Sequence, residues 1–314
     1  MMPAISIIMP CYNAVQHLSA STGSVLAQTF QDWELIAIDD GSSDETLALL
    51  RTHTDPRIRV FTQSNHGVSA ARNAGLASAR GRYVAFLDAD DTWDASFLEK
   101  ILAVFNTQPD AVLAYCGWQN LGLPNGRDKP FIPPVYEGPK KTESLLGGCR
   151  WPIHACLTRL SVIQQVGGFD CDLRIGEDYL LWMEVAQLGS ILRVPEVLAF
   201  YHHHGKTQAT HDRVGAALDT LLAKQKFLAH HPGVAQQLGK DKVDTVTWGK
   251  LIEQANALYW QGQLESARPL FMKALRSGRG SLKDRIRMLA SLLPIRIQKA
   301  FISTRVNQRQ NQKR

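Results

Sequence analysis

Arg82-Tyr83-Val84-Ala85-Phe86-Leu87-Asp88-Ala89-Asp90-Asp91-Thr92-Trp93 is an apolar run that ends in three carboxylates within four residues. Residues 83–87 have the unbroken apolar character of a strand buried on both faces, as in a parallel sheet. Acids at the carboxyl end of such a strand sit where open α/β sheets bind ligands. Like charges this close repel, so a bound cation or a shared proton is their natural compensation. The simpler alternative is that Asp91 caps the next helix and the other two acids are solvated.

The chain before this stretch repeats the pattern. Residues 5–9 are β-rich and close on Pro10-Cys11-Tyr12-Asn13, where proline and asparagine end a strand in a turn. A helix is predicted over 21–28 and a strand over 33–38. That strand stops at Asp39-Asp40-Gly41-Ser42-Ser43-Asp44, with Ser42 or Ser43 placed to cap a helix over 44–52. A third strand is predicted over 57–62. Asn65-His66-Gly67-Val68-Ser69-Ala70-Ala71-Arg72-Asn73-Ala74-Gly75 then opens a small-residue helix whose first N–H groups can face an anion. Strands spaced by helices in this rhythm predict an α/β, doubly wound, mostly parallel sheet, and the loops after strands one, two and four then open on one edge.

After a helix over 97–106 and a strand over 111–117, residues 119–138 are rich in glycine and proline and predict a long mobile loop. A short helix over 160–166 leads to Gly167-Gly168-Phe169-Asp170 and Gly176-Glu177-Asp178. The helix predicted over 179–187 puts Glu177 and Asp178 at its start, where its dipole favours carboxylates. The strand over 191–198 precedes Tyr201-His202-His203-His204. Three adjacent histidines cannot share a face of an extended segment, so at most His202 and His204 do. Beyond residue 211 the apolar spacing is helical throughout, which predicts a domain over 1–211 and a helical region over 212–314. Residues 255–275 resemble a single tetratricopeptide-type helix pair turning at Gly262, and one copy cannot build a solenoid.

Composition limits the function classes. The 314 residues are 45% hydrophobic, enough for a substantial core. Five scattered cysteines without a CxxC pair argue against a disulfide framework or a zinc site and suit a reducing cytoplasm. No signal peptide or run of 18 apolar residues is apparent, so a soluble or peripheral protein is expected. From Lys273 to Arg314 twelve basic residues face one acid, Asp284, and the remainder is mildly acidic. Attachment by charge and chemistry are thus expected in different parts of the chain. The mixed apolar and basic stretch 285–297 predicts peripheral contact with anionic lipid. Nucleic acid is not expected, since no recognition module accompanies the charge, and no GxGxxG follows the first strand to bind a dinucleotide.

The motifs at 10–13, 39–44, 65–73, 88–91, 167–170 and 177–178, in this order and spacing, resemble the family 2 glycosyltransferases of the GT-A fold over roughly the first two thirds of the chain. The resemblance implies a nucleotide sugar, most often a uridine diphosphate sugar, lying across the strand ends. Pro10, Tyr12, Asn13, Asp40, Arg72 and Asp88 would bind it, with Asp40 on the base and Arg72 as a fixed positive charge. It also implies a divalent cation, Mn²⁺ or Mg²⁺, on Asp88 and Asp90, with His204 as a candidate third ligand. Asp178 would take the proton from the acceptor hydroxyl, giving direct displacement with inversion. The acceptor would be a glycan or lipid-linked saccharide in cell-surface polysaccharide synthesis, at the inner face of the membrane. Two alternatives remain open. Asp88-Ala89-Asp90-Asp91-Thr92 also matches haloacid dehalogenase-like Mg²⁺-dependent phosphatases, with Asp88 as nucleophile, although three strand-and-loop units precede it here. A non-catalytic sugar-nucleotide-binding protein of the same fold would have no need of Asp178.

Overall fold

The computed structural model describes residues 2–123, 128–204 and 212–298. The chain divides into two compact units, Met1–Gln208 and Ala209–Arg314. Residues 205–211, where the sequence puts the boundary, lie outside the described residues, as does the basic stretch after 298.

The first unit is built on a nine-stranded sheet. Strands β1 (Ile5–Cys11), β2 (Trp33–Asp39), β3 (Ile58–Thr62) and β4 (Tyr83–Phe86) run parallel in the order β3-β2-β1-β4. Every residue of β2 and all but Pro10 of β1 is buried, which is why both read as continuous apolar runs rather than alternating ones. The sheet continues through β8 (Cys156–Arg159), antiparallel to β4, then β6 (Ala111–Leu121), β9 (Ser190–His202) and the two-residue β5 (Thr92–Trp93). Because β6 and β9 are parallel to each other and antiparallel to β8, their carboxyl ends lie on the same edge as those of β1, β2 and β4.

Two polar side chains are buried inside the strands and serve the turn before β4. Ser6 Oγ donates to Glu34 Oε1 at 2.8 Å, Glu34 Oε1 accepts from Arg80 N, and Ser6 Oγ accepts from Gly81 N. Gly81 has no room for a side chain, since a Cβ there would meet Ser6 N at 2.5 Å. Helix α3 (Val68–Ser78) lies close over β1 for a similar reason: a Cβ on Gly75 would meet Ile8 at 2.5 Å. The small residues of this helix therefore set its packing distance.

The loop predicted over 119–138 is shorter than expected. β6 runs on to Leu121 beside β9, and β7 (Pro130–Phe131) pairs with Trp118 and Gln119. Gly117 marks the close approach, because a Cβ there would meet carbonyl oxygens of Phe131 and Glu196 at 2.8 and 2.9 Å. A glycine within a strand here lets backbones meet.

The second unit is helical: α8 (Arg213–His230), α9 (Pro232–Leu238), α10 (Lys240–Asp244), a π-helical turn Thr245–Gly249, α11 (Lys250–Trp260), α12 (Leu264–Arg276) and α13 (Leu282–Ala290). Helices α11 and α12 form the expected pair, turning at Gly262 with φ +77°. Their core gathers Leu251, Ala255, Leu258, Tyr259, Leu270 and Phe271 with Leu221 of α8 and Met288 of α13. The buried Lys224 of α8 donates to the carbonyl of Val246 at 2.7 Å, within the π turn where regular helical bonding is interrupted.

Candidate active site

The loops after β1 and β2 are laced together. Asn13, in the left-handed region at φ 48°, accepts from Ser43 N at 2.8 Å through Oδ1 and donates its own N–H to Ser42 Oγ at 3.0 Å. Ala14 N donates to Thr46 Oγ1 at 2.7 Å. Ser42 and Ser43 thus bind the first loop instead of capping α2 (Thr46–Leu50), where Asp44 Oδ1 accepts from Thr46 N. Tyr12 is exposed at this edge, Pro10 half-buried. Cys11 beside them is buried, and burial with Asp39 and Asp88 nearby pushes its thiol far up, so it stays protonated and is no nucleophile.

Asp40 is nearly buried and binds the β3–α3 loop. Oδ1 accepts from Gln63 Nε2 (2.8 Å) and His66 N (3.0 Å), and Oδ2 accepts from Gly67 N (2.8 Å). Asp39 keeps its Oδ1 buried without a partner among the described residues.

Arg72 of α3 is 2% exposed. One terminal nitrogen donates to Asp88 Oδ1 at 2.7 Å, the other to Glu177 Oε1, and the guanidinium stands 5.3 Å from the Phe169 ring. Burial alone would favour loss of its proton, but the two carboxylates hold it firmly charged. The neighbouring Asn73 donates to Phe169 O at 2.8 Å and accepts from Phe169 N at 2.9 Å. The Arg72-Asn73 and Gly167-Gly168-Phe169 motifs are therefore one contact, and Gly168 is needed because a Cβ would meet Asn73 Oδ1 at 2.7 Å. Glu177 and Asp178 open α7 (Glu177–Val185) after Gly176 at φ 82°, as the sequence predicts. Asp178 is half-buried and accepts from Tyr179 N at 2.7 Å. Burial and the charge of Glu177 push its carboxyl up to about 7, against the pull of Arg72.

The three acids of the opening stretch part company. Asp88 faces Arg72. Asp90 Oδ2 meets His204 Nε2 at 2.7 Å, and His204 stacks on His17 with centroids 3.9 Å apart. Burial and the charges of Asp88 and Asp91 raise the Asp90 carboxyl, and His204 opposes that shift only partly. Asp91 does not serve the next helix, whose start is tied by Asp94 Oδ1 to Ser96 N at 2.9 Å. It is fully buried, accepts from His202 N at 3.0 Å, and its Oδ2 lies 3.0 Å from Nδ1 of the equally buried His154. Burial lowers the His154 affinity for a proton, Asp91 raises it, and the net direction is up. The histidine run diverges: His202 Nε2 contacts Thr92 Oγ1 at 2.9 Å and His203 Nε2 contacts Asn120 Oδ1 at 3.2 Å, leaving His204 for the acid loop.

Sequence reasoning missed His17, His154 and the role of Glu177. Nothing local marks His154, which stands 63 residues from its acid, whereas Glu177 was visible only as a helix-start acid. The residues expected to hold a cation are brought together in part. Asp90 and His204 touch and Asp88 is turned to Arg72, so among the described residues no group of three His, Cys, Asp or Glu side chains is gathered for a metal. The donor chemistry of two carboxylates and an imidazole nevertheless suits a divalent cation, and the raised Asp90 carboxyl marks a place short of positive charge.

Residues 6–154 match the model of the family described as glycosyl transferase family 2. The Escherichia coli UDP-Glc:α-D-GlcNAc-diphosphoundecaprenol β-1,3-glucosyltransferase WfgD is 34% identical over 190 residues, 60% of this chain and 71% of that protein. This chain belongs to glycosyltransferase family 2. A Bacillus subtilis glycosyltransferase assigned to teichuronic acid biosynthesis is 33% identical over 193 residues, 60% of this chain and 73% of its own length. The chain spans about two thirds of the length of the curated relatives it matches. A mannosyltransferase from Pyrobaculum calidifontis, solved in complex with GDP-Man and Mn²⁺, superposes with TM-score 0.58 at 17% identity over 96% of this chain and 85% of its own, and shares the fold. Family membership removes the support for Asp88 as a phosphatase nucleophile. No helix among the described residues is long and apolar enough to cross a membrane.

Proposed function

We propose that this protein transfers a sugar from a nucleoside diphosphate donor, a UDP-sugar, to a hydroxyl of a glycan or lipid-linked saccharide, with inversion at the anomeric carbon. It would do so in cell-surface polysaccharide synthesis, at the cytoplasmic face of the membrane where lipid-linked acceptors are found. The observation that carries this reading is the place of Asp178: a half-buried carboxyl at the start of α7, next to Glu177, which Arg72 ties to Asp88 after β4, with its proton affinity raised by burial and by the charge of Glu177. A base with that affinity matches the proton released by an acceptor hydroxyl as the new C–O bond forms. The relatives supply the class of donor and acceptor, since WfgD is named for UDP-Glc and a diphosphoundecaprenol-linked sugar.

In this reading Pro10, Tyr12 and Asn13 line the donor with Asp40, which meets the base while shaping the Gln63–Gly67 loop. Asp88 takes the ribose. Arg72 acts from below, fixing Asp88 and Glu177 and so the start of the helix that carries Asp178. Asp90, Asp88 and His204 would hold Mn²⁺ or Mg²⁺, which when bound neutralises the departing diphosphate. Loop and helix both come from rigid elements, so the base is held in place before substrate arrives.

The test is Asp178→Asn in full-length protein, with UDP release measured against a panel of UDP-sugars and acceptors. Loss of about 10²–10⁴ in turnover with donor binding retained is expected for a missing general base. Unchanged turnover would falsify the assignment.

A further inference from the structure

Helix α13 is amphipathic in an unusual sense. One side is tied to the helical core: Met288 is fully buried in it, and Arg287 donates to Asn256 Oδ1 of α11 at 2.7 Å. On the other side Leu282, Ile286 and Leu289, at spacings of four and three, share one face and are 78%, 61% and 54% exposed. Leu293, just beyond, is exposed as well. A contiguous exposed apolar face rimmed by polar residues marks an interaction surface. Lys283 and Arg285 are exposed on either flank of the stripe. Asp284 is held inward by Ser281 in a capping box, so its charge is spent on the helix end.

We propose that this face binds the surface of an anionic lipid bilayer, with the leucines and isoleucine entering the headgroup boundary and the two cations meeting lipid phosphates. Charge complementarity selects this occupant. A second copy of the chain would bring Lys283 and Arg285 against their own kind, whereas an anionic interface satisfies the stripe and its flanks together. The sequence after residue 298 adds five basic residues and no acid, which strengthens attraction to the same surface. The face gives a physical basis to the membrane location proposed above. It rests on that reading only for the reason a membrane is visited.

The test uses full-length protein and vesicles free of donor and acceptor, so it can fail without touching the catalytic assignment. Sedimentation with vesicles one-third phosphatidylglycerol should capture the protein, and vesicles of phosphatidylcholine alone should capture about tenfold less. Ile286→Asp with Leu289→Asp should abolish capture, and Lys283→Gln with Arg285→Gln should reduce it about tenfold and weaken its salt dependence. Thermal unfolding of each variant confirms that the fold is kept, as these side chains are exposed. Equal capture by both vesicle types, or capture unchanged in the aspartate variant, overturns the proposal. So does a wild-type dimer by sedimentation equilibrium that the aspartate variant dissolves, which would assign the face to a second copy.

Discussion

The two units depart from ordinary inside–outside partitioning in opposite ways. The first buries charge: Arg72, Asp91, His154 and Glu177 lie inside, in ion pairs beneath the strand ends. The second exposes apolar surface: Leu282, Ile286 and Leu289 face outward on a helix anchored from behind. Neither arrangement is favoured for stability, since buried ions lose hydration and exposed leucines order water. The comparison teaches that function can be sought where stability is conceded, as chemistry in one unit and as a surface in the other.

The largest expected effect tests whether the buried charges depend on one another. Arg72→Ala would leave Asp88 and Glu177 facing a vacated site, and breaking a buried pair by removing one partner costs about 3–5 kcal/mol. Urea unfolding should show that loss, and Arg72→Lys should recover part of it, because a single ammonium cannot span both acids as the guanidinium fork does. A loss under 1 kcal/mol on the order of a surface pair would mean that the charges are solvated and the contrast between the units is false.

A smaller effect of opposite sign belongs to Asp178. Its carboxyl in the folded protein is raised to about 7, above the value near 3.8 of an unperturbed aspartate. The folded state therefore binds more protons than the unfolded state between these values, and stability falls as pH rises from about 4 to 7. Asp178→Asn removes that charge while its amide oxygen can still accept from Tyr179 N. The variant should be more stable than the parent by on the order of 1–3 kcal/mol at pH 8, with the difference vanishing near pH 4. Melting curves at the two pH values measure it. A variant less stable at pH 8 would show that the carboxylate is a structural anion rather than a strained base.

Much of the first unit was legible because local and global signals agree there. The apolar runs of β1, β2 and β4 end in turn residues and acids, and the parallel order follows from their spacing. What the sequence hid were relations between distant residues. His154 reaches Asp91 only because β8 runs antiparallel beside β4, and nothing in Trp151-Pro152-Ile153-His154 announces that reversal. Gly117 closed the predicted strand 111–117, and nothing local shows that it serves a close approach of Phe131 and Glu196 in a strand that runs on to Leu121. Arg72 looked like a cation for the nucleotide, and the structure surrounds it with acids, because burial is decided by the strand that follows the helix. In the second unit periodicity gave the helices, but which face of α13 is covered depends on Asn256 and Met288, and no pattern within α13 alone fixes it.

The smallest effect ties that exposed face to its anchor. Ser281 Oγ accepts from Asp284 N, and the Asp284 carboxylate accepts from Ser281 N, so two otherwise unpaired groups at the start of α13 are satisfied together. Removing the hydroxyl with Ser281→Ala should cost about 1 kcal/mol, as for other helix caps. It changes neither the apolar stripe nor its flanking cations. If the face acts as a preformed helix, the variant should melt earlier and bind anionic vesicles more weakly, because the first turn carrying Leu282 and Lys283 would fray. If the lipid itself winds this segment into a helix, melting should fall while vesicle binding stays unchanged, since the bilayer would restore the turn that the cap had held. The two outcomes separate a surface that is built in advance, like the ion pairs beneath the strand ends, from one that is completed on contact.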